Sequence, residues 1–159
     1  MMEEEKRKKI YSPQEALKRA YKFCAYQERN QQEVRDKLYD LGLHKQDVEQ
    51  ILAQLISEGF INEERFAIAY AGGKFRIKHW GKIKIRVALK QKNISEYCIN
   101  KALKEINNRD YQKTLEKSIA DYSKKVTEKN PLKKNYKIAQ YLISKGFEPD
   151  LVWEILRGV

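Results

Sequence analysis

The chain has 159 residues, with 33 Lys and Arg against 22 Asp and Glu, so its formal net charge is +11 and its isoelectric point is near 9.5. This charge points to an anionic partner such as nucleic acid, with a merely solvated surface as the alternative. No stretch approaches the ~18 uninterrupted apolar residues of a membrane span, and Cys24 and Cys98 fit neither a disulfide framework nor a zinc site. We therefore expect a soluble, cytoplasmic, monomeric protein without a metal or cofactor.

The first three predicted helices follow a charged extension over residues 1–12. Ser12 and Asn30 each begin a capping-box pattern, which starts a helix. The second helix ends at Gly42, because glycine adopts the left-handed conformation most easily, and the third ends before Gly59. The predicted helices run over about 13–28, from Asn30 to Gly42 and over about 45–57, and together they make three-helix repeat 1, residues 13–58.

Repeat 2 is predicted to begin with a long helix capped by Asn62. Its apolar residues Phe66, Tyr70 and Ile77 recur at i, i+4 and i+11, which is typical of a core-facing stripe. Ser95 occupies the cap position of the last helix in this repeat. The predicted ranges are about 82–92 and 96–106 for the fifth and sixth helices, 59–108 for repeat 2 and 109–159 for repeat 3.

One apolar pattern recurs in residues 34–55, 85–106 and 138–159, which align without a gap at offsets of 51 and 53 residues. Within repeat 3, Asn130-Pro131 and Glu148-Pro149 each indicate a cap followed by a first-turn proline. An internal period of this length is typical of repeat proteins, whose units bury their apolar faces against each other. The sequence predicts an all-α fold of three tandem three-helix repeats in an elongated, curved body. The shared columns are Val34, Ile85 and Ile138; Leu38, Leu89 and Leu142; Gly42, Asn93 and Gly146; Leu43, Ile94 and Phe147; Val48, Ile99 and Val152; and Leu52, Leu103 and Leu156.

The sequence contains no catalytic signature of the Walker, G-x-S-x-G, H-E-x-x-H or Ca²⁺-loop type. His44 lies at a helix cap position and His79 lies in a basic stretch, and both positions are typical of surface residues. Glu63 and Glu64 lie in a first helical turn, where the helix dipole favours carboxylates. The sequence therefore predicts neither a catalytic residue nor a metal site.

The strongest chemical signal is the segment from Gly72 to Ser95, which contains no acidic residue. Residues 59–106, which include it, hold 11 basic and 4 acidic side chains, a net charge of +7. Three cations on the fifth helix recur every fourth residue and repel each other by roughly 0.2–0.5 kcal/mol per pair. Phosphates or an acidic protein surface would offset this repulsion, and the alternative is pairing with acids of another helix. The predicted binding residues are Lys74, Arg76, Lys78, Lys82, Lys84, Arg86, Lys90 and Lys92, of which Lys82, Arg86 and Lys90 form the stripe.

Two further features of this segment have a structural and a functional interpretation. Gly72 and Gly73 lie within a helix, where each costs ~1 kcal/mol relative to Ala. Close helix packing is the favoured explanation, and a bend or the close approach of a partner's backbone are the alternatives. Phe75 and Trp80 are the aromatic residues embedded among the cations. They are candidates for stacking on exposed bases, as in single-strand binders, with core packing as the alternative.

Residues 55–89 resemble the signature of the RecX family of regulatory proteins, which modulate the RecA recombinase. The signature is Leu, Gly, an apolar residue and Asp or Asn, then Arg-Phe-Ala, an aromatic, a basic stretch and Gly before the next helix. Position 30 is Asn where the family often carries Ser, an interchangeable helix cap. The matching residues are Leu55, Gly59, Ile61, Asn62, Arg65, Phe66, Ala67, Tyr70, Arg76, Lys78, Gly81, Ile85 and Leu89, with Arg29, Glu33, Val34, Leu38 and Gly42 upstream.

This resemblance implies three tandem three-helix repeats and a noncatalytic protein of recombinational DNA repair and the SOS response. It implies docking along the groove of the RecA filament on single-stranded DNA, with or without direct DNA contact, and suppression of recombinase and ATPase activity. One alternative is a sequence-nonspecific nucleic-acid-binding helical repeat protein. A helix-turn-helix repressor ranks lowest, because each helix pair is followed by another repeat instead of a dimerisation element.

Overall fold

The computed structural model describes residues 9–158, so residues 1–8 of the predicted extension lie outside the described part of the chain. Residues 9–158 form nine α-helices and no β-strand. The prediction of an all-α fold is therefore confirmed. The helices are α1 Pro13–Tyr26, α2 Gln31–Asp40, α3 Lys45–Ser57, α4 Glu63–Lys78, α5 Lys82–Gln91, α6 Glu96–Lys104, α7 Asn108–Ser123, α8 Pro131–Ser144 and α9 Pro149–Leu156.

The chain divides into two compact units between Phe66 and Ala67, after the first turn of α4. In the first unit, α1, α2 and α3 pack on one another around a continuous apolar cluster. In the second unit, α5 packs on α6, and α8 packs on both α7 and α9. The repeat boundaries predicted at 58/59 and 108/109 stay predictions.

The second helix of each repeat ends in the same left-handed turn. Gly42, Asn93 and Gly146 have φ values of +86°, +60° and +98°, and each donates its N–H to the carbonyl three residues earlier. The next residue of each turn donates to the carbonyl five residues earlier, at 3.1–3.4 Å, which completes a Schellman motif. The aligned columns of the sequence therefore mark one structural unit used three times.

The apolar columns are buried in all three repeats, except that Leu156 in repeat 3 is partly exposed. One column lies in the turn between the helices, and the others lie at matching positions of the second and third helices, where i, i+4 and similar spacings share one face. Burial of a whole Val, Leu or Ile side chain contributes about 1.5–3 kcal/mol, so these columns account for much of the core. Fully buried members are Val34, Leu38 and Val48 in repeat 1, Ile85, Leu89 and Ile99 in repeat 2, and Ile138, Leu142 and Val152 in repeat 3.

Most predicted helix caps form the expected hydrogen bonds. The side-chain oxygens of Ser12, Asn30 and Ser95 accept N–H bonds from the third residue of their helices. Glu148 is different: it occupies the position before α9, but its side chain makes no cap bond. Its carboxylate accepts a hydrogen bond from the Tyr111 hydroxyl at 2.9 Å instead. The prediction that Glu148 acts as a cap is therefore wrong for its side chain.

The predicted apolar stripe of α4 does not continue to the end of the helix. Beyond the first turn, the buried residues are Ala67, Ala71 and Phe75, spaced four residues apart. Ile77 lies on the opposite side and is 75% exposed. The prediction took Phe66 as the start of a single buried face along the whole helix. In the structure, the buried face lies on a different side of α4 after the first turn, so Ile77 is exposed.

Two glycines join the α4–α5 turn to the α8–α9 turn within the second compact unit. Gly81 donates its N–H to the carbonyl of Lys145 at 2.8 Å, and Ile83 donates to the carbonyl of Gly146 at 3.0 Å. A Cβ atom added to Gly81 would overlap the backbone of Gly146 and Phe147. The backbones touch because neither residue has a side chain.

The Tyr111 side chain reinforces the same junction. Its ring lies between Phe75 and Phe147, with centroid distances of 5.7 and 5.3 Å. Its hydroxyl accepts a hydrogen bond from the Lys82 N–H at 3.0 Å while it donates to Glu148. Burial raises the pKa of the Tyr111 hydroxyl, so at neutral pH it remains protonated and able to donate.

The glycine contact can be tested by adding one methyl group at each of two positions. Gly81→Ala forces the two turns apart, and overpacking of this kind costs about 1–3 kcal/mol or more of unfolding free energy. Gly73→Ala is the matched control, since nothing lies within 4 Å of its added Cβ, and it should gain about 1 kcal/mol of helix propensity. Urea unfolding followed by circular dichroism measures both. Equal stability of Gly81→Ala and the parent chain would contradict the close contact.

Candidate functional site

The predicted basic segment occupies the end of α4, the α4–α5 turn and α5. Arg76 and Lys78 lie in the last turn of α4, where the helix dipole favours cations. At the start of α5, two backbone donors are occupied, because the N–H of Lys82 bonds to Tyr111 and that of Ile83 bonds to Gly146. The cationic side chains are therefore the main groups on this face that can bind an anion.

The stripe on α5 is partly neutralised by α6. The carboxylate of Glu96 accepts from Arg86 Nη1 at 2.9 Å and from Lys90 Nζ at 2.8 Å, and Arg86 Nη2 donates to Asn100 Oδ1 at 2.8 Å. The hydrogen bond from Lys90 is the main cause that lowers the pKa of Glu96. The alternative of pairing with another helix thus applies to Arg86 and Lys90, and one carboxylate between two cations leaves one positive charge.

Lys82, the third member of the stripe, lies against an aromatic ring. Its Nζ atom is 4.8 Å from the centroid of the Tyr111 ring. It also lines an open groove of about 510 Å³ together with Arg86, Lys104 and Glu148. The carboxylate of Glu148 reduces the positive charge of this groove, so the stripe is a mixed-charge surface instead of a row of free cations.

A second group, here called the aromatic–lysine cluster, consists of Tyr70, Lys74, Trp80, Lys84 and Lys92. The ammonium groups of Lys74 and Lys84 lie 4.9 and 4.6 Å from the Trp80 ring. Those of Lys74 and Lys92 each lie 5.4 Å from the Tyr70 ring. Each such cation–π contact contributes about 0.5–1 kcal/mol at an exposed site. The rings therefore hold three lysines on one face without neutralising their charge.

The two aromatic candidates for base stacking have different environments. Phe75 is 7% exposed and packs on Tyr111 in the core, so it cannot reach a base and the predicted stacking role does not apply to it. Trp80 is half-buried beside two lysines, so a base could still reach part of its ring. Tyr70, which the sequence pattern placed in a core stripe, is also half-buried and belongs to the cluster.

The side chain of Arg76 occupies the space that a side chain at position 72 of α4 would need. A Cβ atom on Gly72 would lie 2.7 Å from a guanidinium nitrogen of Arg76. Gly72 thus makes room for a side chain of its own helix, and Gly73 faces open space. The prediction that this glycine pair serves close helix packing is wrong.

A basic patch on and just before α1 was not predicted from the sequence. Lys9 and Arg19 lie 4.8 and 4.4 Å from the Tyr11 ring, and Lys18 and Lys22 line the same open pocket of about 330 Å³. The equal numbers of acids and bases in residues 1–58 hid this patch, because a segment sum ignores which helix face each charge occupies. The spacing of Lys18, Arg19 and Lys22 on one helix was the available signal.

Residues 9–158 form neither a metal-binding cluster nor a disulfide. In residues 9–158, no three His, Cys, Asp or Glu side chains come together in a way that could hold a metal ion. Cys24 and Cys98 are both buried and unpaired, and burial raises the pKa of the Cys24 thiol. Among the same residues, no helix is long and apolar enough to cross a membrane.

Three family models match this chain in order: RecX first three-helix domain over residues 16–55, second over 62–103 and third over 110–156. A Regulatory protein RecX of Streptococcus uberis is 31% identical over 131 residues, which are 82% of this chain and 50% of that protein. One from Clostridium tetani is 32% identical over 143 residues, 88% of this chain and 63% of that protein. The chain thus spans about half to two thirds of these relatives.

For another relative and for one solved structure, the similarity covers most of this chain and most of the other protein. A Regulatory protein RecX of Thermotoga petrophila is 27% identical over 158 residues, 97% of this chain and 90% of that protein. The crystal structure of RecX from Lactobacillus salivarius superimposes with a TM-score of 0.81 and covers 92% of this chain and 95% of that one. Its sequence identity is 24%, so this likeness bears on the fold alone.

The Glu96 network predicts a specific pH dependence. Because the folded pKa of Glu96 is lowered from 4.5, its pairing stabilises the fold fully above that ordinary value and is lost as the pH falls through the lowered one. Lys90→Met should move the pKa of Glu96 back towards 4.5, since it removes the largest cause. Carbon-13 NMR titration of the Glu96 carboxyl group measures this, with Lys92→Met as the control that leaves the pKa unchanged. An unchanged pKa in Lys90→Met would show that this pair does not form in solution.

Proposed function

Because this chain belongs to the RecX family, we propose that it is a noncatalytic regulator that binds the RecA–DNA filament and inhibits RecA recombinase and ATPase activity. A nucleoprotein filament presents phosphates and a protein surface together. A regulator of the filament therefore needs a face that can contact both. The second repeat offers such a face.

The observation that carries this proposal is the aromatic–lysine cluster. Its three ammonium groups contact rings, and lysine acts as a point charge that suits phosphate oxygens. Trp80 adds an accessible ring surface for which an unstacked base is a suitable partner. All five residues of the cluster lie within residues 62–103, the part that matches the second RecX domain. These properties support contact with the DNA of the filament.

A neighbouring surface of α5 supports contact with protein. Ile83 and Val87 lie one turn apart on the outer face of α5 and are 45% and 49% exposed. The paired charges of Arg86, Lys90 and Glu96 border them on one side. An apolar centre with a polar, hydrogen-bonded rim is the usual anatomy of a protein–protein interface. We call Ile83 and Val87 the α5 ridge.

The alternative is a sequence-nonspecific nucleic-acid binder. The aromatic–lysine cluster alone would serve such a protein, because phosphate contacts need no RecA. The two functions differ in the α5 ridge, which has a role against a filament protein and none against bare DNA. A comparison of filament and DNA affinities therefore separates them.

The experiment measures binding of the labelled chain by fluorescence anisotropy at ~150 mM salt, where exposed charges are screened beyond about 8 Å. The targets are bare single-stranded DNA, RecA alone and RecA filaments assembled with a slowly hydrolysed nucleotide. We expect preference for filaments. Ile83→Ser with Val87→Ser should reduce filament affinity about fivefold or more, as two half-buried aliphatic contacts contribute about 1 kcal/mol or more, and leave DNA affinity unchanged.

The aromatic–lysine cluster is tested in the same titrations. Lys74→Gln, Lys84→Gln and Lys92→Gln together should weaken both filament and DNA binding about tenfold or more, because phosphate contacts dominate affinity for nucleic acid. The matched control replaces Lys113, Lys117 and Lys124 by Gln, with the same loss of charge on α7 and at its end. Equal affinity of the parent chain for bare DNA and filaments would favour the alternative function.

A further inference from the structure

A small pocket lies at the junction of repeats 2 and 3, inside the second compact unit. Its open volume is about 200 Å³, and it is bordered by the ends of α4, α7 and α8. Each of these ends contributes one lysine: Lys78, Lys125 and Lys145. We call it the junction pocket. It is separate from the aromatic–lysine cluster, with which it shares no lining residue.

The side chains that line the junction pocket carry a net positive charge. Asp121 is the one carboxylate residue among the lining residues, against three ammonium groups. In residues 9–158, no carboxylate lies within ion-pair distance of Lys78, Lys125 or Lys145. Like charges gathered around one small space repel unless an anion lies between them.

His79, which also lines the pocket, ends α4 in a left-handed conformation with a φ of +56°. Its N–H donates to the carbonyl of Phe75 at 3.1 Å, which is the hydrogen bond of a common left-handed helix cap. This cap places Lys78 and His79 at the edge of the pocket.

The size and chemistry of the pocket define the anion. The volume of the junction pocket is smaller than the range of about 300–1,000 Å³ that is usual for pockets holding whole small molecules. The pocket therefore suits a single anionic group. Lysine binds phosphate as a point charge, so three lysines around one small space suit the several oxygens of a phosphate group.

An aromatic wall indicates what is attached to the phosphate. The rings of Tyr122 and Tyr141 line the pocket and stack with centroids 3.9 Å apart and planes 10° apart. Tyr141 remains 38% exposed, so a further ring can lie against it. Bases are available for such stacking in single strands, whereas a duplex stacks them internally.

We propose that the junction pocket binds one phosphate of a single-stranded nucleic acid, whose neighbouring base stacks on Tyr141. Lys78, Lys125 and Lys145 neutralise the phosphate, and the Tyr122 ring supports Tyr141 from behind. This site goes beyond the proposed function and does not depend on RecA. It adds a nucleic-acid contact in repeat 3 to those proposed for repeat 2.

The test uses the full chain and no RecA, so its failure is distinct from failure of the proposed function. Affinity for oligo-dT is measured over a series of salt concentrations. In Lys125→Gln with Lys145→Gln, the slope of log K against log salt should fall in magnitude by about 0.7, the value for one phosphate of a single strand. The control, Lys113→Gln with Lys117→Gln on α7 outside the pocket, should keep the parent slope.

The stacking step is tested with an abasic oligonucleotide of equal length, which has phosphates but no bases. Tyr141→Leu should weaken oligo-dT binding about fivefold or more and leave abasic binding unchanged. Tyr136→Leu, on the same helix but outside the pocket, is the control. Circular dichroism checks that each variant is folded.

Three outcomes would overturn the proposal. The first is an equal salt slope for the pocket and control lysine variants. The second is an equal loss of affinity for poly-glutamate, which would mark the pocket as a site for acidic protein. The third is a loss of stability in the lysine variants with unchanged DNA binding, which would show that these lysines serve the helix carboxyl ends alone.

Discussion

The left-handed turn between the second and third helices of each repeat is the constraint on which the rest of the fold depends. Gly42, Asn93 and Gly146 each reverse the chain within one residue, with φ values from +60° to +98°. The reversal brings the apolar columns of the second helix and those of the third helix onto the same core. A residue restricted to negative φ here would continue the helix or open the turn, and the columns of both helices would lose burial.

The third of these turns also fixes the candidate site. Gly146 touches Gly81 backbone to backbone, and this contact sets where α5 begins relative to α8 and α9. Tyr111 holds the same place by bonds to Lys82 and Glu148. The two glycines and the buried hydroxyl of Tyr111 therefore fix the position of the α4–α5 turn, which contains Trp80.

The face built on this junction combines two kinds of surface. On the α5 stripe, Glu96 forms ion pairs with Arg86 and Lys90, which partly neutralise the positive charge of the stripe. In the aromatic–lysine cluster, the cations contact rings and keep their charge. A surface that is paired and apolar in one part and cationic in another suits a partner that is itself part protein and part nucleic acid.

The helices and their turns could be predicted from the sequence because they depend on local spacing. Asn93, for example, was aligned with two glycines by the apolar columns alone, and it adopts the same positive φ. All nine helices of the described residues were expected, as was their grouping by repeat.

The candidate site was less predictable, because its contacts join residues that spacing does not relate. Glu96 lies on α6, and only the packing of α5 on α6 brings it to Arg86 and Lys90. Glu148 was expected to cap α9, yet Tyr111 reaches it from another helix. Phe75 and Trp80 both lie in the basic segment, but Phe75 is on the buried face of α4, whereas Trp80 lies half-buried in the turn before α5.

The central claim is that the aromatic–lysine cluster is the part of this chain that meets the filament. Lysine acetylation footprinting by mass spectrometry tests it most directly, with the chain alone and bound to RecA filaments. Lys74, Lys84 and Lys92 should become several-fold less reactive in the complex, while Lys113 and Lys117 keep their reactivity. Unchanged reactivity of all three cluster lysines in a saturated complex would contradict the account.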